Sequence, residues 1–191
     1  MITEMKNPLT PEYLELKRSV RSNRFPWYFS ETSVSAQGNN FMLYSHPVVL
    51  RPLDGDKPQV VSKRFEKAMP VIEQIFEAND LHPEHVFRIC FNSVFHSAHE
   101  MSDPHVDHEF PHRNLLIYLN QVSCGSTYIF KETFSAQYPS GSYNAFEHNL
   151  VVGWESEPVE DKIVSFDGFH YHAQGFPKLG ERRISLVVTH D

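Results

Sequence analysis

A chain of 191 residues with a formal net charge of −7 suits one domain with a real core, and its acidity argues against a broad phosphate-binding face, so nucleic acid is not the expected partner. Hydrophobic content of 40% and charged content of 21% are ordinary for a globular protein, while 15 Phe and 8 Tyr point to a β-rich interior. Only Cys90 and Cys124 occur, unpaired in pattern; no apolar run reaches the ~18 residues of a membrane span; and the N-terminus lacks a signal-peptide core, so a reduced, cytoplasmic protein is expected.

Thr10-Pro11-Glu12 is a helix start: an N-cap hydroxyl, proline at the first helical position, then an acid beside the positive end of the dipole. That helix is expected to end near Arg21. A second helix is expected over 58–79, where Val61, Phe65, Met69, Ile72 and Phe76 form one apolar stripe for packing on a sheet, with Pro70 kinking or dividing it. From Val86 the texture changes to short runs rich in Ile, Val, Phe and Tyr. Candidate strands are Val86–Val94, Arg113–Asn120, Ser126–Phe130, Leu150–Trp154, Lys162–Phe166 and Arg183–His190. Strands following a helical start predict an α+β fold with a two-sheet sandwich or jelly roll as its core. Residues 1–85 read as helical support and arm, and 86–191 as the core of a single domain. Residues 131–149 lack periodicity and read as an insertion near the mouth, a candidate substrate lid.

The chemistry concentrates in His105-Val106-Asp107, followed 65 residues after Asp107 by His172 and 11 later by Arg183. A histidine and a carboxylate two apart on extended backbone face the same way. With a distant second histidine they make the facial triad that holds non-haem Fe(II) and leaves three positions open. Alone the triplet is weak, since 12 His in this chain supply about half of one such match by chance. Context strengthens it: Asp103-Pro104 forces extended backbone just before it, and a strong strand follows. The second ligand must be chosen between His170 and His172. His172 is preferred because its spacing to Arg183 suits a return strand, leaving His170 behind the metal or on the substrate side. Arg183 and Ser185 share a strand face, so guanidinium and hydroxyl can grip one carboxylate, and the Tyr118 phenol is a further donor to it. His96, His99, His108 and His112 are expected to line the mouth or face solvent. His82-Pro83-Glu84 has no basic residue usefully placed. No GxSxG is present and Cys90 lies inside an apolar strand, which disfavours a hydrolase.

PHVDH (104–108), LLIYLN (115–120), CGSTYIF (124–130), KIVSFDGFHYHAQG (162–175) and RRISLVV (182–188) together resemble the Fe(II)/2-oxoglutarate-dependent dioxygenase superfamily, and most its prolyl-4-hydroxylase-like branch. FPWYF at 25–29 resembles the opening of small bacterial and phage members. The resemblance covers roughly residues 86–190. It implies a double-stranded β-helix (jelly roll) with iron held by His105, Asp107 and His172. It further implies that Arg183, with Tyr118 and Ser185, binds the distal carboxylate of the cosubstrate 2-oxoglutarate, and that O₂ is consumed with release of succinate and CO₂. Ser126 replaces the second glycine of the usual GG block, and 131–157 is longer and more aromatic than a hairpin connection. Both lie where substrate enters, so the acceptor, a small molecule or a peptidyl group, does not carry over. Two other classes stay open: a jelly roll that binds metal without catalysis, and an interaction module using the aromatic residues of 131–149.

Overall fold

The computed structural model describes residues 2–31, 41–50, 57–135 and 149–191. Among them run, in chain order, β1 (Thr3–Met5), α1 (Pro11–Arg21), β2 (Tyr28–Ser30), β3 (Leu43–Leu50), β4 (Gln59–Val60), α2 (Phe65–Ala78), β5 (Val86–Phe95), β6 (Arg113–Tyr118), β7 (Thr127–Thr133), β8 (Val152–Ser156), β9 (Ile163–Asp167), β10 (His170–Gln174) and β11 (Arg182–His190). The large sheet has the order β1-β9-β6-β11-β5-β3-β2, with β4 added beside β3; the small sheet has the order β10-β7-β8. Every pairing is antiparallel. This is an α+β jelly roll, and a cavity of about 580 Å³ lies between the two sheets.

The six expected strands all form, with ends shifted by a few residues. α1 also forms as expected: the Thr10 hydroxyl accepts from the Tyr13 N–H, and Tyr13, Leu16 and Val20 are buried. α2 begins later than expected, because Gln59 and Val60 pair with β3 and the Val61 N–H donates to the Val48 carbonyl. Val61 is therefore exposed rather than the first member of a helical stripe. α2 is also not divided by Pro70, which sits on the exposed face early in the helix, while Ala68, Val71, Ile72, Ile75 and Phe76 are buried.

Five strands, β1 to β4 and β10, lie outside the expected set, and β3 is the longest of them. Pro47 removes a ladder donor and argues against a strand, yet β3 runs through it because the register with β5 shifts between Pro47 and Val49. Both helices pack on the outer face of the large sheet. There Tyr13, Leu16, Ile72 and Ile75 join Ile89, Phe91, Leu115, Ile117, Leu186 and Val188 in one apolar cluster. No helix among the described residues is long and apolar enough to cross a membrane. Thr133 still lies in β7, but residues 136–148 of the expected lid lie outside the described residues.

Candidate metal centre

The HxD segment is tied to β10 by main chain. The His105 N–H donates to the His172 carbonyl at 3.0 Å and the His172 N–H to the His105 carbonyl at 2.9 Å, with a second bridge between Met101 and Gly175. A pair exchanging both hydrogen bonds sets its side chains next to each other on one face. The two imidazoles accordingly lie 4.6 Å apart between ring centroids. Asp107, two residues further, brings its carboxylate to the same place, and one ligand atom from each of His105, Asp107 and His172 lies within 4.8 Å of the others.

The orientation of each group suits a metal. His105 Nδ1 lies 3.2 Å from the Asp103 carbonyl and His172 Nδ1 3.3 Å from the His170 carbonyl. A carbonyl can only accept, so these contacts put the proton on Nδ1 and leave the lone pair on Nε2. Asp107 is buried; its Oδ1 accepts from Arg88 Nη1 at 2.9 Å, and its Oδ2 faces His172 Nε2 at 3.4 Å. Arg88, on β5, thus occupies one carboxylate oxygen and turns the other to the histidines. A lone pair and a carboxylate oxygen at that separation repel each other unless a proton or a cation lies between them. Two imidazoles and one carboxylate on a single face match Fe(II) with three positions left open.

His170 does not join the group. A register shift between His170 and His172 breaks the simple alternation, and the His170 ring packs on Trp154 with Nδ1 against the Phe130 carbonyl. His96 and His99 are exposed as expected. His108 and His112, expected at the mouth or in solvent, are buried instead. His108 Nε2 meets Thr189 Oγ1 at 2.8 Å. The His112 ring lies against Gly168, where an added Cβ would collide with the imidazole, and burial lowers its pKa. Among the described residues Glu84, His85 and Asp191 also converge, but all three are exposed and Asp191 already binds the His85 ring at 2.9 Å.

Arg183 marks the far end of the same cavity. It is 2% exposed, and its hydrogen-bond partners are neutral: Thr127 Oγ1 accepts from Nη2 at 2.6 Å and Gln174 Oε1 from Nη1 at 3.2 Å. Its Nε has no partner, and among the described residues no carboxylate comes within ion-pair distance. The guanidinium lies over the Tyr118 ring at 5.3 Å. Ser185 is buried and lines the cavity, as alternation with Arg183 requires. Tyr118 is fully buried, and its hydroxyl lies 2.9 Å from both Thr127 Oγ1 and the Ser156 carbonyl oxygen. Its ring supports Arg183 while its hydroxyl is engaged by the protein. A buried cation with neutral partners is costly unless an anion joins it. An anion is therefore what the Arg183 end of the cavity lacks.

Sequence reading missed Arg88, Thr127, Gln174 and Asn114, all of which line this cavity. Alternation along β5 and β6 offered a signal for Arg88 and Asn114, once the inward face of each strand was known.

Fold and donor set together define a jelly roll with a two-histidine, one-carboxylate centre. No protein-family model and no curated protein matches the chain. Solved structures do. A 2-oxoglutarate-Fe(II) oxygenase family oxidoreductase from Burkholderia pseudomallei matches with TM-score 0.60 at 12% identity, over 94% of this chain and 77% of that one. The epimerase SnoN in complex with Fe³⁺, α-ketoglutarate and a nogalamycin compound matches with TM-score 0.58 at 14% identity, over 99% and 78%. A Pseudomonas putida prolyl-4-hydroxylase matches with TM-score 0.52 at 14% identity, over 99% and 91%. The chain has the jelly-roll fold of the 2-oxoglutarate-Fe(II) oxygenases, prolyl hydroxylases among them.

Proposed function

We propose that this protein is a cytoplasmic Fe(II)- and 2-oxoglutarate-dependent dioxygenase that hydroxylates a small molecule or a peptidyl group. His105, Asp107 and His172 hold the iron, Arg183 and Ser185 grip the distal carboxylate of 2-oxoglutarate, and Tyr118 backs the guanidinium. The observation that carries this reading is Arg183: a buried guanidinium without a carboxylate partner, in the same cavity as the triad. A metal that only braced a fold would have no use for such a cation. When bound, iron and 2-oxoglutarate supply the chemistry, an O₂-driven decarboxylation to succinate and CO₂ coupled to hydroxylation of a C–H bond.

The chain's own contribution is placement. Arg88 engages Oδ1 of Asp107, so the carboxylate would offer a metal its Oδ2 alone. The Nδ1 contacts of both histidines hold their rings with Nε2 inward. Low dielectric around Arg183 strengthens its pairing with an anion. The cavity continues from the triad to Ser30, Ser45 and Gln59 on β2, β3 and β4, which gives the acceptor a route from the side away from the helices.

Anaerobic Fe(II) addition should give visible absorption that depends on 2-oxoglutarate. Arg183→Ala should keep metal binding but weaken 2-oxoglutarate on the order of a hundredfold, and unchanged affinity by titration would overturn the assignment. His105→Ala should abolish metal-dependent succinate release.

A further inference from the structure

One polar side chain in the cavity is used by nothing described so far. Asn114 on β6 is 2% exposed, lines the cavity, and neither its Oδ1 nor its Nδ2 has a hydrogen-bond partner. A buried carboxamide with both ends unmet is costly, and strands do not keep such a group inward without something to meet it. Leu116 on β6 and Phe166, opposite Asn114 on β9, are apolar, and the hydroxyl of Thr189, opposite Asn114 on β11, is engaged by His108 Nε2 at 2.8 Å.

Register locates it. Asn114 is opposite Thr189 on β11, and Thr189 is opposite Arg88 on β5, so Arg88, Thr189 and Asn114 form one row across three strands. Arg88 holds Asp107, so this row floors the metal end of the cavity. Arg183 lies six residues from Thr189 along β11, about 20 Å of strand. The reach of an arginine and an asparagine side chain can take up roughly half of that. The rest suits a five-carbon diacid with a hydrogen bond of about 3 Å at each end.

We propose that Asn114 binds the metal-side carboxylate of the 2-oxo acid, its Nδ2 donating to a carboxylate oxygen. This rests on the function proposed above. A neutral donor is what this end requires. A bound metal would balance the carboxylate's charge there, and the one guanidinium in the row, Arg88, is already paired with Asp107, whereas the Arg183 end offers a full charge with neutral partners.

The test is binding of two ligands to the Mn(II)-loaded full chain by calorimetry: 2-oxoglutarate, and 2-oxobutyrate, which keeps the 2-oxo carboxylate but lacks the distal one. Asn114→Leu should weaken both by roughly ten- to a hundredfold and leave Mn(II) affinity unchanged. Arg183→Ala should weaken 2-oxoglutarate alone. Asn114→Asp, which preserves size and sets an anion against the carboxylate, should weaken both ligands at least as much, and it decides the matter if the leucine variant does not fold. Wild-type affinity for both ligands in a folded variant overturns the proposal, as does a loss confined to 2-oxoglutarate. Wild-type protein that takes up Mn(II) but neither oxo acid would instead overturn the dioxygenase reading itself.

Discussion

The two faces of the large sheet use the same strands for opposite ends. Outward, β5, β6 and β11 present Ile89, Phe91, Leu115, Ile117, Ile184, Leu186 and Val188, each at most 2% exposed and packed with the helices. Inward, the intervening residues include the polar Arg88, Asn92, Asn114, Arg183 and Ser185 beside Cys90, Leu116 and Val187. Burying such polar groups opposes folding, and burying apolar area at about 25 cal/mol per Å² favours it. A side-chain period of two lets one strand do both. Stability is thereby concentrated under the helices, and the opposite face is free to hold groups that are satisfied only when ligands arrive.

Substitutions on each face test that division. The largest effect is expected inward: Asp107→Ala should abolish tight metal uptake by equilibrium dialysis, since it removes the anionic ligand and leaves Arg88 nearby. Outward, Ile117→Ala should cost about 2–5 kcal/mol in urea unfolding, while the folded protein keeps its metal affinity; a parallel loss of affinity would show the faces to be coupled. Arg88→Met should weaken metal binding about ten- to a hundredfold by freeing the Asp107 carboxylate to turn.

The smallest effect is a pH dependence. Burial lowers the pKa of His112 and of His190, whose ring packs on Phe76 beneath α2. Both are neutral in the folded chain where the unfolded chain takes up protons. Stability is then fully present above the ordinary imidazole value of about 6.5 and falls as pH drops below it, by at most about 1.4 kcal/mol per pH unit for each ring. His190→Gln should flatten that slope in denaturation curves collected between neutral and mildly acidic pH. An unchanged slope would remove His190 from the account.

What the sequence disclosed follows from how local each signal is. α1 was legible through its cap, and β5, β6 and β11 through their composition. The histidines and Asp107 were legible because their spacing is itself the chemistry. β3 was hidden by Pro47, whose cost is absorbed by a register shift that only the partner strand reveals. β1, β2 and β4 are only two or three residues long, too short for any period to register. The choice of His172 over His170 rested on spacing, whereas the structure separates them through an irregularity in β10 that alternation alone would not foresee. Alternation could set Arg88 inward but not give its role, because its contact with Asp107 joins different segments 19 residues apart.

The contacts beside Arg183 admit a single arrangement of protons. The Ser156 carbonyl can only accept, so the Tyr118 phenol gives its hydrogen there; Thr127 must then give its own to Tyr118, and its oxygen is left for the guanidinium. This one-way relay runs from β11 through β7 and β6 to the backbone of β8, so it stitches the two sheets together at the deep end of the barrel. Neither hydroxyl has freedom to rotate toward an incoming guest, and the cation is thereby presented at one angle. An engineered valine at position 127 would cut the relay in the middle, leaving the arginine in place but unaimed.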